Sequence, residues 1–123
     1  MTYADFQADW ERAAGAEYDA YTGRSAAGLV ADARAGRYGE YYQLWRAIAA
    51  RATLPLAGQV LLEVLRRDDP YLVRYHAAAA LLALLGMADI APVDLSAERA
   101  GRAARLDVVE RKLRERLDAG GAP

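Results

Sequence analysis

Few side chains in this sequence can do chemistry. His76 is the only histidine, Ser25 and Ser96 are the only serines, and cysteine is absent. Without cysteine there are no disulfides, thiol nucleophiles or sulfur-ligated metals. A serine nucleophile needs a general base within hydrogen-bond reach. Both serines, however, stand where helix caps belong, and His76 falls in phase with Leu72, Val73, Ala80 and Leu84. His76 therefore reads as a core or core-edge histidine. Asp68-Asp69 is the sole acidic doublet, and a turn with a helix N-cap accounts for it fully. Gly36-Arg37-Tyr38-Gly39 lacks the spacing and the preceding strand of a phosphate-binding loop. The expectation is a protein that is not an enzyme, with no metal and no cofactor.

Tyrosine and arginine carry the more suggestive pattern. Tyr71 and Tyr75 lie one helical turn apart beside Arg74, on the side away from Val73, Ala77 and Ala80. Tyr38, Tyr42 and Arg46 recur at four-residue steps on what reads as an earlier helix. These residue types are enriched where proteins bind one another, so the six are expected to form a partner-binding surface. The plainer alternative is that the tyrosines pack on neighbouring helices with their hydroxyls in water. Arg66, Arg67 and Arg74, with Arg37 and Arg46, raise the question of nucleic acid. The net charge of −1 argues against it. So do Asp5, Asp9, Glu11, Glu17 and Asp19 near the start, opposed by Arg12 alone.

The elements that must position these residues are helical. At 123 residues, 54% hydrophobic and 27% charged, the chain fits one globular domain spanning 1–123. It shows no sustained apolar/polar alternation and no Asn-Gly or Asp-Gly turn, so no strand is expected. Thr2 and Asp5 make a capping pair ahead of a leading helix over 1–22, with Phe6, Trp10, Ala14, Tyr18 and Tyr21 on one face. Trp10 and Trp45 are expected in the core. Ser25 caps a short second helix with Leu29, Val30 and Ala33 inward, ended by Gly36. A third helix is predicted from about Arg37 to Ala52 and a fourth from Leu56 to Arg67. Asp69 and Pro70 are the start signal of a fifth, which Gly86 closes. That fifth helix is apolar nearly all round from Ala77 to Leu85, as expected of one buried on several sides. Residues Met87 to Leu95 read as a linker. Ser96 then caps a terminal helix over 96–119, with Leu106, Val109, Leu113 and Leu117 as its stripe. The stripe suits a lid on the bundle, or a short homodimer seam.

The run from Leu61 through Asp68, Asp69, Val73 and Arg74 to Gly86 resembles a HEAT repeat. It has an apolar helix, an acidic turn, a Val-Arg pair and then an alanine- and leucine-rich helix. A weaker echo lies about 32 residues earlier, over Leu29, Ala33, Gly36, Tyr41, Tyr42, Leu44, Trp45 and Ile48. The resemblance implies an all-α fold: a short stack of antiparallel helical hairpins, a HEAT-like α-α superhelix. Two hairpins over 25–86 would be capped by the first and last helices. It also implies that the second helices of the hairpins line one surface; Asp68 and Arg74 are placed so that they can pair across the turn.

These readings converge on a non-catalytic protein-protein interaction module with a protein partner. The alternatives are an immunity- or antitoxin-like inhibitor of a neighbouring toxin, and a small-molecule binder with a pocket between the hairpins near His76 and Tyr42. The first residues have neither a basic start nor an apolar run, and the longest apolar run, Ala77 to Met87, is too short for a bilayer. No membrane association is expected. The expected location is cytoplasmic, in a bacterium whose genome is GC-rich by the measure of abundant alanine and arginine.

Overall fold

A computed structural model describes residues 2–121. Among them every regular element is helical: α1 (Tyr3–Thr22), α2 (Ala26–Arg34), α3 (Gln43–Arg51), α4 (Leu54–Arg66), α5 (Tyr71–Leu85), α6 (Pro92–Ser96) and α7 (Arg102–Gly121). The expected capping signals act at several ends. Thr2 and Asp5 form a reciprocal capping box on α1, the Ser25 hydroxyl accepts from the Gly28 N–H, and Gly86 ends α5 in the left-handed conformation.

Packing follows the hairpins. The pairs α2–α3 and α4–α5 lie side by side, with α2 against α4 and α3 against α5. Contacts continue from α3 to α1 and from α5 to α6 along one layer, and from α4 to α7 along the other. Leu29, Trp45, Ile48, Leu61, Leu65, Leu81, Leu95 and Leu113 fill the space between the layers. Because α5 touches α3, α4, α6 and α7, it has no fully polar face, which explains its nearly continuous apolar run. At Gly58 on α4 a side chain of α7 packs close: a Cβ there would lie 2.5 Å from Leu113 Cδ1. Leu106, Val109 and Leu113 are buried within the fold. Three of the four stripe residues thus pack into the fold, as a lid does.

Arginines supply much of the polar framework. Helix C-termini leave carbonyls without intrahelical partners. Here Arg51 donates to Tyr21 O and Thr22 O at the end of α1, and Arg67 to Ala33 O and Arg34 O at the end of α2. Arg102 reaches Leu65 O at the end of α4, and Arg116 reaches Leu85 O at the end of α5. A planar guanidinium with several donors suits this work. The arginine bias that composition alone ascribes to the genome therefore has a structural use.

Five expectations need correction. The third helix starts at Gln43 and not near Arg37, so Tyr38 and Tyr42 lie on a loop. Gly39 and Tyr42 on that loop have positive φ (78° and 61°). Glu17 of α1 holds the loop in place: its carboxylate accepts from the backbone N–H groups of Glu40, Tyr41 and Gln43 at 3.0–3.2 Å. Asp69 does not cap α5, because its carboxylate instead accepts the Tyr38 hydroxyl at 3.0 Å. Arg74 pairs with Glu98 at 3.0 Å and not with Asp68. The predicted linker contains α6, and Ser96 ends it, buried and donating to Pro92 O at 2.8 Å; it does not start α7. Finally, Trp10 is 42% exposed. A twenty-residue α1 is about 30 Å long, whereas the nine-residue α3 beneath it is about 13 Å. The first half of α1 therefore overhangs, carrying Tyr3, Phe6 and Trp10 into solvent.

Candidate functional site

The overhang, the 37–42 loop and α5 enclose a cleft of about 360 Å³, within the range of small-ligand sites. Trp10 comes from α1, Tyr41 and Tyr42 from the loop, Trp45, Arg46 and Ala49 from α3, and His76 from α5. Tyr42 adopts its left-handed conformation at the mouth of α3 and stacks on His76, with centroids 4.7 Å apart and planes 11° from parallel. A non-glycine residue in that conformation is strained by about 1–3 kcal/mol and persists only where its surroundings fix it. The three bonds to Glu17 provide that fixation. Tyr41 meets Trp10 edge-on at 6.1 Å. Trp45 is buried, and its indole Nε1 has no hydrogen-bond acceptor. A buried donor left unsatisfied costs about 1–3 kcal/mol. The Arg46 guanidinium lies 4.2 Å from the Tyr18 ring centre, and among the described residues it has no ion-paired carboxylate. Burial holds the His76 pKa below the ordinary imidazole value, which favours the neutral ring.

The six residues singled out by sequence separate into two sets. Tyr71, Tyr75 and Tyr42 join through His76: Tyr71 lies 6.0 Å from Tyr75, and Tyr75 lies 5.4 Å from His76. Arg46 borders the same cleft. Tyr38 and Arg74 point into structural networks. The Tyr38 hydroxyl binds Asp69 and accepts from Arg67 at 3.2 Å, while its ring packs 5.2 Å from Trp45. Burial pushes its phenol pKa up. The Arg74 side chain is only 12% exposed and is held by Glu98.

Sequence reasoning placed Trp10 in the core and gave Phe6 no functional reading. Both belong to the exposed aromatic face of α1, which Tyr3, Phe6, Gln7 and Trp10 form together. Their spacing is that of any buried helix stripe. Only the short length of the helix beneath distinguishes the two cases.

No family model matches the sequence, and no curated protein or solved structure matches it either. Among the described residues no helix is long and apolar enough to cross a membrane, and no three histidine, aspartate or glutamate side chains cluster as a metal site.

Proposed function

We propose that this chain is a non-catalytic, HEAT-like binding module of the bacterial cytoplasm. Its partner is a protein segment that is apolar on one side and basic on its flanks. The docking surface runs from Tyr71 and Tyr75 through Tyr42, His76 and Arg46 to Trp10, Phe6 and Tyr3. The observation that carries this reading is the overhanging face of α1, where Tyr3 is 79% and Phe6 57% exposed beside Trp10. Large aromatics gathered on a solvent-facing surface mark interaction sites more often than single exposed residues do. The partner's charge follows from Asp5, Asp9, Glu11 and Asp19 on the same helix, with Arg12 as its only cation. Complementary charge speeds encounter and fixes orientation. An immunity-like protein that masks a basic toxin surface is the narrower form of this reading, favoured by the same acidic helix.

The test is affinity purification of the tagged protein from its own cells, alongside a Tyr3→Ala/Phe6→Ala/Trp10→Ala variant. These side chains bear little of the core, so the variant keeps its fold. A stoichiometric partner that the variant loses supports the proposal. A partner retained by the variant, or no stoichiometric partner, refutes it.

A further inference from the structure

From the cleft's chemistry we infer a second capacity: binding a free, flat aromatic molecule that carries a carboxylate. Four observations converge on that class. The walls are aromatic on several sides (Trp10, Tyr41, Tyr42 and His76), which suits a planar body that can pack against their rings. Arg46 is the charged side chain in the lining, and among the described residues it has no carboxylate ion-paired to it. Buried Trp45 also lines the cleft, with an indole N–H lacking an acceptor. Finally, no aspartate or glutamate lines the cleft.

An aromatic cage by itself also suits a cation, through the negative faces of its rings. Here the sign is decided by Arg46, the one charge in the lining, which repels a cation and receives an anion; the Glu17 carboxylate that reaches this loop is taken up by the backbone N–H groups of Glu40, Tyr41 and Gln43. His76, whose burial lowers its pKa and so favours the neutral ring, adds a stacking face. The 37–42 loop is held by Glu17 with Tyr42 already over His76, so a ligand meets a formed wall and need not order one. This inference does not rest on the protein-binding proposal, because its ligand is a free small molecule.

The chain offers built-in probes: one histidine, and two tryptophans whose indole N–H signals report Trp10 and Trp45 separately. The experiment titrates the full chain with indole-3-acetate and follows the imidazole and indole N–H resonances. Expected are saturable shifts of His76 and of the Trp45 N–H. Neutral indole should bind about fivefold more weakly, and Arg46→Ala should lose about fivefold in affinity for the acid, the scale of one partly exposed charged contact. Ala49→Leu, which fills the cleft from α3, should abolish the shifts while the remaining spectrum stays folded. Any of three results overturns the inference: no saturable shift at millimolar concentration, equal affinity of the Arg46→Ala variant, or tighter binding of phenyltrimethylammonium than of indole-3-acetate. All three leave the partner-capture result on the α1 variant untouched, so the two proposals fail separately.

Discussion

Replacing Glu17 by alanine should destabilise the protein by about 2–3 kcal/mol and loosen the cleft. The wild-type carboxylate accepts from Glu40 N at 3.1 Å, Tyr41 N at 3.0 Å and Gln43 N at 3.2 Å. The last of these bonds serves the first residue of α3, so Glu17 caps that helix from another element. Losing a capping acceptor typically costs about 1 kcal/mol. The other two bonds, on a loop that water can reach, add about 0.5–1 kcal/mol each. For a chain of this size the sum lowers Tm by about 10 °C. Without the bonds, nothing offsets the strain at Tyr42, and its stack on His76 should dissolve. Urea unfolding gives the free energy, and the His76 ring resonances report the stack. Two glycines provide an internal check. Gly36 and Gly39 have nearly the same φ (80° and 78°), but a Cβ at Gly36 meets nothing within 4 Å. At Gly39 it would fall 2.5 Å from Glu17 Oε1 and 2.6 Å from Tyr21 Oη. Gly36→Ala should therefore cost about 1 kcal/mol of backbone strain, and Gly39→Ala at least about 1 kcal/mol more. A Glu17→Ala variant within about 0.5 kcal/mol of wild type, or equal effects at the two glycines, would refute the assigned role.

Other consequences can be measured on the same protein. Asp32 lies just below the surface, covered by Arg24 and Arg37, whose hydrogen bonds hold its carboxyl below the usual range against the opposing effect of burial. Asp32→Asn should cost about 1–3 kcal/mol near neutrality, a difference that shrinks as pH falls through the lowered carboxyl pKa and the wild type loses the same charge. Leu113→Ala should cost about 3–4 kcal/mol by opening a cavity over Gly58. Gly58→Ala alone should also destabilise, and the double variant should be less unstable than the two losses added, as a double-mutant cycle would show. His76 has a folded-state pKa below its unfolded one, so the unfolded chain binds the proton more readily. Its contribution is present above the ordinary histidine pKa and is lost as pH falls from that value through the lower folded one. Wild type should therefore lose stability relative to His76→Gln between pH 7.5 and 5.5, checked by urea titration at each pH.

Much of the architecture could be read from residue order because its signals are local. The reciprocal Thr2–Asp5 cap, Ser25 before α2, Pro55 near the start of α4 and Gly86 after α5 each act within one turn of chain. The apolar character of α5 also announced burial on several sides. Where the reading failed, a contact between distant residues had overridden a local preference. Tyr38, Tyr42 and Arg46 have helical spacing, yet Glu17, far earlier in the chain, draws the N–H groups of the 40–43 segment out of the helix. Asp69 followed by Pro70 is a sound N-cap signal, but Tyr38, in the loop of the neighbouring hairpin, takes that carboxylate. Arg74 looked like an exposed anchor until Glu98 and the α6–α7 segment folded over it.

The candidate cleft was half legible for the same reason. A pocket between the hairpins near His76 and Tyr42 is expected from the sequence. Trp10, Tyr41, Arg46 and the unpaired Trp45 N–H could be assembled only by the fold, since they come from three separate segments. By itself the sequence determined that the chain is helical, where several of its helices begin and end, and which faces seek burial, because propensity, capping and periodicity act over a few residues. Only the tertiary structure decided which aromatic stripe would find a neighbour. The spacing of Phe6 and Trp10 matches that of buried residues, but α3 is short, so Phe6 finds no cover and Trp10 only partial cover, at the cleft beside Tyr41.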